Sequence, residues 1–205
     1  MTTSASAESP ASVLAFWFGD APERAATDPT RAKLWWSKQP AVDAQMRERF
    51  AGLVDDVGAG LLDGWAHTDL GRLALILVAD QFSRNIHRGT PRSFGLDPLA
   101  RQWTLHGLES GAFEALLPIQ RLFAYMPLEH SESLEHQDRC VALMQGLRDR
   151  ATPEEAATFA SYADYAEKHR AVIQRFGRFP HRNAILGRDS TAEELAFLQT
   201  PGSSF

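Results

Sequence analysis

The sequence is poor in cysteine and in long apolar runs, and both shortages narrow the kinds of protein it can be. Its 205 residues include one cysteine, Cys140, so an internal disulfide framework is excluded, which suits a reducing compartment. The longest strongly apolar run, Leu73 to Ala79, is far shorter than the ~20 residues of a membrane span. Residues 1–10 are small and polar, unlike a secretory signal. We therefore expect a soluble cytoplasmic protein that does not bind membranes.

An excess of positive charge is also lacking. The chain has 26 acidic and 21 basic residues and a formal net charge of −5, which argues against nucleic-acid binding through a basic surface. The arginines are nevertheless clustered: five lie between Arg170 and Arg188, where no acid occurs. This cluster predicts a local positive potential and therefore an anionic ligand or partner.

Period-two alternation of apolar residues is missing as well, so no strand is expected. Signals for helix starts recur instead: Asp28-Pro29, Pro40, Thr68-Asp69, Asp97-Pro98, Pro118, Ser131 or Ser133, and the capping boxes Thr152–Glu155 and Thr191–Glu194. Pro127 is expected to stop one helix, and Gly177 to end another. The sequence predicts an all-α fold, a multi-helix antiparallel stack, with a flexible N-terminal extension (1–10) and one helical domain (11–205).

Three blocks combine charged, polar and aromatic residues where a plain helical core would be apolar. The first is Asp80 to Asn85, at the end of the most apolar helix. Asp80 and Arg84 are four residues apart and share a helix face, as do Gln81 and Asn85. One interpretation is an intrahelical ion pair at a helix end that meets water. The other is that a buried helix delivers these groups into a cleft.

The second block runs from Phe123 to Glu132 and on to His136. Glu132, His136 and Cys140 follow one another at four-residue spacing and line one helical row. Glu132 and His136 have a workable spacing for metal ligands, with His130 just upstream. There is no His-Glu-x-x-His motif and no cysteine pair, so a metal site is the less favoured interpretation. A lone helical cysteine is more often a small core residue than a nucleophile.

The third block runs from His169 to Asn183. His169 lies on an aromatic helix stripe that indicates burial, so it is either a core residue or a catalytic one. Pro180 stiffens the loop after Gly177, which presents His181, Arg182 and Asn183.

Together the blocks resemble the signature of a largely bacterial family, the domain-of-unknown-function 924 family. The matching segments are Phe16–Gly19, Trp35-Trp36, Asp80–Asn85, Pro127–Glu132 and Arg175–Asn183. The resemblance covers about residues 11 to 200. It implies a tetratricopeptide-like all-helical superhelix, and it implies no activity, cofactor or partner.

Three functions fit these observations. The first is a pocket for a small phosphate or carboxylate ligand, with an acid or base supplied by a histidine. Its candidate catalytic residues are His130, His169 and His181, and its candidate ligand-binding residues are Asp80, Arg84, Asn85, Glu132, Arg178, Arg182 and Asn183. The second is a binding module whose groove takes an acidic peptide or a partner's carboxylate. The third is a buried polar network that only fixes helix packing. The cofactor and the oligomeric state are left open.

Overall fold

A computed structural model describes residues 8–203, and within them all the regular secondary structure is helical, without a β-strand. The helices are α1 (Pro10–Phe18), α2 (Pro29–Trp36), α3 (Pro40–Gly58), α4 (Asp69–Ile76), α5 (Ser83–Ile86), α6 (Asp97–Glu109), α7 (Pro118–Glu129), α8 (Leu134–Arg148), α9 (Ala156–Phe176), α10 (Asn183–Leu186) and α11 (Ala192–Leu198). The predicted all-α helical stack is therefore confirmed, whereas its tetratricopeptide-like geometry stays a prediction.

Several helices begin where the sequence predicts. Asp28 caps α2 by accepting a hydrogen bond from the Thr30 amide at 2.7 Å. Thr68 caps α4 in the same way through the Gly71 amide. The box formed by Thr191 and Glu194 opens α11, each side chain bonding the other residue's backbone amide. Side-chain oxygens satisfy these first-turn amides, which explains why the local signals were sufficient.

Two predicted helix boundaries are wrong. The expected capping box at Thr152 does not form, because the Thr152 hydroxyl bonds the carboxylate of Glu155 and α9 begins only at Ala156. Pro127 does not stop α7, which continues to Glu129. A proline removes one amide and crowds the preceding turn, yet burial of that last turn in the core holds it helical.

The N-terminal boundary also differs from the prediction. Ser9 caps α1, and Glu8 forms an ion pair with Arg49 of α3 at 2.7 Å. Residues 8–10 therefore belong to the helical structure, and only residues 1–7 of the predicted extension lie outside the described residues.

Aromatic rings fill the centre of the stack. Trp17 of α1 packs edge-on against Phe123 of α7, with ring centroids 5.5 Å apart, and contacts Trp35 and Phe82 as well. The chain from Leu73 to Ala79 passes through this core and is fully buried. Within residues 8–203, no helix is both long and apolar enough to cross a bilayer.

A π-helical segment, Leu77–Phe82, links α4 to α5. The segment is identified by a hydrogen bond from the Ser83 amide to the carbonyl of Val78, five residues earlier. Such segments hold one extra residue in the turn, are rare, and frequently occur at functional sites. Asp80 lies within this segment, so the deviation from α-helix coincides with the first charged block.

Candidate functional site

Asp80 is the centre of a buried polar cluster, which forms where the π-helical segment between α4 and α5 meets the end of α7. Its side chain is fully buried, and three side chains lie within hydrogen-bond distance of its carboxylate oxygens. Oδ1 lies 2.7 Å from Nδ1 of His130 and 3.0 Å from the guanidinium of Arg84. Oδ2 accepts a hydrogen bond from the side-chain amide of Gln81, Nε2, at 2.7 Å. Burial raises the pKa of Asp80, but Arg84 and His130 outweigh burial and hold this pKa below its usual range.

A second carboxylate, Asp97 at the start of α6, links the two arginines of the cluster. Arg84 donates to both Asp97 oxygens, at 2.8 and 3.0 Å, in a bidentate pair. Arg182 approaches the same carboxylate at 3.5 Å. The structure thus brings the first and third blocks together, although they are about a hundred residues apart in sequence.

Arg182 is buried with little polar compensation. The residue is only 6% exposed, and Phe94 and Phe179 lie 4.7 and 4.5 Å from the centre of its guanidinium. Its Nε is buried without a hydrogen-bond partner among residues 8–203. Burial, followed by repulsion from Arg84, lowers its pKa to about 10. A guanidinium has five N–H donors, so this one has unused capacity for an acceptor.

His130, the residue after α7, is held as a neutral imidazole. Burial and the charge of Arg84 lower its pKa, while Asp80 opposes them. Because the Asp80 carboxylate accepts the proton at Nδ1, the Nε2 lone pair is the available basic position. Nε2 makes no hydrogen bond to residues 8–203, and the side chain keeps 12% exposure. Such an imidazole can accept a proton or a hydrogen bond.

Glu129 and His169 are two further buried ionisable groups of the cluster, with Oε1 of Glu129 3.4 Å from Nδ1 of His169. Burial, reinforced by Asp80, raises the pKa of Glu129 to about 8, so this carboxyl is largely protonated at neutral pH. Burial lowers the pKa of His169 to about 3, and its Nδ1 donates to the Tyr165 carbonyl at 2.9 Å. The His169 ring also packs 5.6 Å from Phe179. These contacts fit a structural histidine as well as a catalytic one.

His181 lies beside Arg182 on the loop after α9. Its ring packs 5.6 Å from that of Phe179. Burial and the Arg182 charge lower its pKa to about 4, so it is neutral at physiological pH. To the buried cluster, the loop therefore contributes the charge of Arg182 and the neutral ring of His181.

Glu132 holds this loop in place. It accepts a hydrogen bond from the Phe179 amide at 2.8 Å and a bidentate pair from Arg188 at 2.7 and 2.9 Å. Arg188 also donates to the Asn183 side chain at 2.9 Å. Burial opposes ionisation of Glu132, but these donors hold its pKa below the usual range. Glu132 and Asn183 thus position Arg182, and their own polar groups are occupied.

Two of the predicted ligand-binding residues lie apart from the cluster. Arg178 forms a bidentate pair with Glu194 at 2.7 and 2.8 Å. Asn85 accepts a hydrogen bond from Arg88 at 2.7 Å and contacts Met46 of α3. Both side chains are occupied by these local contacts. Of the predicted ligand-binding residues, Arg178 and Asn85 are therefore peripheral, and the others lie in or next to the cluster.

The residues weighed as metal ligands or as a nucleophile have other partners. His136 shares a 2.9 Å hydrogen bond with Ser131, and Cys140 is fully buried. Burial raises the pKa of the Cys140 thiol. Among residues 8–203, no three His, Cys, Asp or Glu side chains are arranged to hold a metal ion.

Three members of the cluster were missed by sequence reasoning: Phe94, Asp97 and Glu129. Asp97 follows the cap residue Leu96 rather than capping α6 itself, so its carboxylate is free to bind arginine. Glu129 could have been identified from its position next to His130 in the second block. Phe94 has no local signal, because its role depends on the packing of a short turn (Pro91–Phe94) against Arg182.

Comparison with known proteins agrees with the helical fold. Residues 13–202 match the family described as bacterial protein of unknown function, DUF924. A solved structure of a protein of unknown function from Agrobacterium tumefaciens is 34% identical, with a TM-score of 0.78 over 93% of this chain and 96% of that one. No curated protein matches. The chain therefore belongs to the DUF924 family, as its three blocks indicated.

Proposed function

We propose that this protein binds a small anionic ligand, a carboxylate or phosphate, at Arg182. The single observation that supports the proposal is the state of that guanidinium. It is buried between two phenyl rings, its Nε has no partner among residues 8–203, and its ion pair with Asp97 is 3.5 Å long. A buried charge with so little compensation is costly, and an anion would relieve that cost.

The other central residues fit this ligand. Arg84 is bound by both Asp80 and Asp97, so it shapes the site rather than serving as a free cation. A bound anion would compete with Asp97 for Arg182, which favours a strong bidentate acceptor. His130, neutral and oriented by Asp80, would accept a hydrogen bond or a proton from a hydroxyl or water next to the anion.

Thermal denaturation at constant ionic strength tests the proposal. The probes are inorganic phosphate, sulfate, acetate and a panel of phosphorylated and carboxylated metabolites. A ligand that binds only the folded state adds about 2.7 kcal/mol of stability at a hundred times its Kd. We expect at least one probe to raise the melting temperature of the wild type. Arg182→Lys should lose most of that response, because lysine lacks the planar fork.

Arg178→Lys is the matched control, since Arg178 lies four residues away on the same loop and pairs with Glu194. It should respond as the wild type does, and circular dichroism should show that both variants are folded. If no probe stabilises the wild type, or if Arg182→Lys responds fully, anion binding is wrong. An acidic peptide partner would then be the function to test.

A further inference from the structure

A cavity that is open to solvent lies away from the Arg182 cluster, between the short turn Asp63–His67 and one face of α6. Its volume is about 630 Å³, within the usual range for small-molecule sites. Arg72 and Arg101 line it together with apolar groups that include Trp103 and Leu105. Neither arginine belongs to the site described above.

Arg72 is the unusual group in this cavity. It is 8% exposed, and it forms no ion pair with any carboxylate of residues 8–203. Its two terminal nitrogens contact Nδ1 of His106 at 2.7 Å and the carbonyl of Ala66 at 2.8 Å. Its Nε is buried without a hydrogen-bond partner in the described part of the chain. A backbone carbonyl and an imidazole nitrogen carry no negative charge, so these two partners fix the position of Arg72 without cancelling its charge.

Arg101 adds a second charge that pairs with no carboxylate of residues 8–203. It is half-buried on α6 and makes neither a hydrogen bond nor an ion pair with residues 8–203. The acids of the cavity, Asp63 and Glu109, are exposed and bind neither arginine. Two cations that form no ion pair with these acids, beside an apolar wall, favour a ligand that is anionic at one end and apolar at the other.

We propose that this cavity is a separate binding site for a small molecule with one anionic group and an apolar body. The anionic group binds Arg72, with Arg101 as the second cation. The apolar body packs against Trp103 and Leu105. His106 and the Ala66 carbonyl hold the Arg72 guanidinium in its orientation before the ligand arrives, which reduces the entropy lost on binding.

Benzoate and benzamide are the probes, because they share shape and size and differ in charge. The readout is the Nε–Hε signal of Arg72 in a ¹⁵N-correlated NMR spectrum of the full-length protein, assigned by its loss in Arg72→Lys. We expect benzoate, titrated at constant ionic strength, to shift this signal with saturation, and benzamide to shift it by less than a tenth as much. Arg101→Met should weaken benzoate binding several-fold while the Arg72 signal stays readable.

The Arg182→Lys variant separates this site from the first one. Its Arg72 titration with benzoate should match that of the wild type, whatever happens to anion binding at position 182. Equal shifts from benzoate and benzamide would show apolar binding without charge recognition and overturn the proposal. A signal that benzoate does not move, or an Arg101→Met titration identical to wild type, would overturn it too.

Discussion

The Asp80 carboxylate and the His130 imidazole are fifty positions apart in sequence and 2.7 Å apart in the structure, Oδ1 to Nδ1. This pair connects the π-helical segment after α4 to the end of α7. It fixes both the orientation of the ring and the nitrogen that carries the proton. The stability and the chemistry of the cluster therefore depend on the same carboxylate.

Replacing Asp80 should destabilise the protein strongly. Asp80→Asn removes a fully buried charge and leaves Arg84 and His130 with weaker partners. Breaking a buried pair in this way costs about 3–5 kcal/mol in the free energy of unfolding, which urea denaturation measures. Asp55→Asn breaks the exposed pair with Arg92 and should change stability little. Equal effects of the two substitutions would contradict the buried network.

Glu129 should make the protein less stable as pH rises from about 5 to 8. Its pKa is raised to about 8 in the folded state, so the folded protein keeps a proton that the unfolded chain releases above its ordinary pKa. Glutamine does not titrate, so Glu129→Gln should not lose stability with pH in this way. The free energy of unfolding of the variant, relative to that of the wild type, should therefore increase with pH, by at most about 1.4 kcal/mol per pH unit. Urea denaturation at several pH values gives the difference.

Glu132→Gln is the control for that experiment. The pKa of Glu132 is lowered, so its contribution is present above the ordinary carboxyl pKa and is lost only as pH falls below it. The destabilisation that Glu132→Gln causes, relative to the wild type, should stay constant from pH 6 to 8. Parallel pH profiles for Glu129→Gln and the wild type would mean that Glu129 is ionised in the folded protein.

The two threonines read from sequence as helix caps should behave differently. Thr191→Ala removes the acceptor of the Glu194 amide and should cost about 1 kcal/mol of unfolding free energy. Thr152→Ala removes only an exposed contact with the Glu155 carboxylate and should have a much smaller effect. Chemical denaturation midpoints compare them. A larger effect at position 152 would place the start of α9 earlier than Ala156.

Two glycines should respond to alanine with opposite signs. Gly177 ends α9 with a φ of +68°, a conformation that alanine disfavours, so Gly177→Ala should destabilise by about 1 kcal/mol. Gly52 lies inside α3, and an added methyl group meets no atom within 4 Å. Gly52→Ala should therefore stabilise by about 0.5–1 kcal/mol. Melting temperatures that shift in the same direction for both would refute this assignment.

The sequence predicted what local chemistry controls and missed what packing controls. Caps at Asp28, Thr68 and Thr191 use side chains within three residues of the amides they bind, so a short motif suffices. The end of α7 was misjudged, because burial of the last turn overrides the cost of Pro127.

The candidate site shows the same division. Arg84 and Arg182 were identified from their blocks, since clustered charges beside aromatic residues are visible in sequence. The carboxylate that joins them, Asp97, was taken only as part of a helix start. Its partners are 13 and 85 residues away, and no periodic pattern spans such distances.

The π-helical turn at Leu77–Phe82 determines which way the residues after it face. One extra residue in a helical turn rotates everything after it by about 100° relative to an uninterrupted α-helix of the same sequence. If all six residues adopted the α-helical form, Arg84 would turn away from Asp97. Deleting one residue together with the π-turn would cancel this rotation, so a relative with a one-position gap within 77–82 should keep the fold and still direct the residue equivalent to Arg84 towards Asp97.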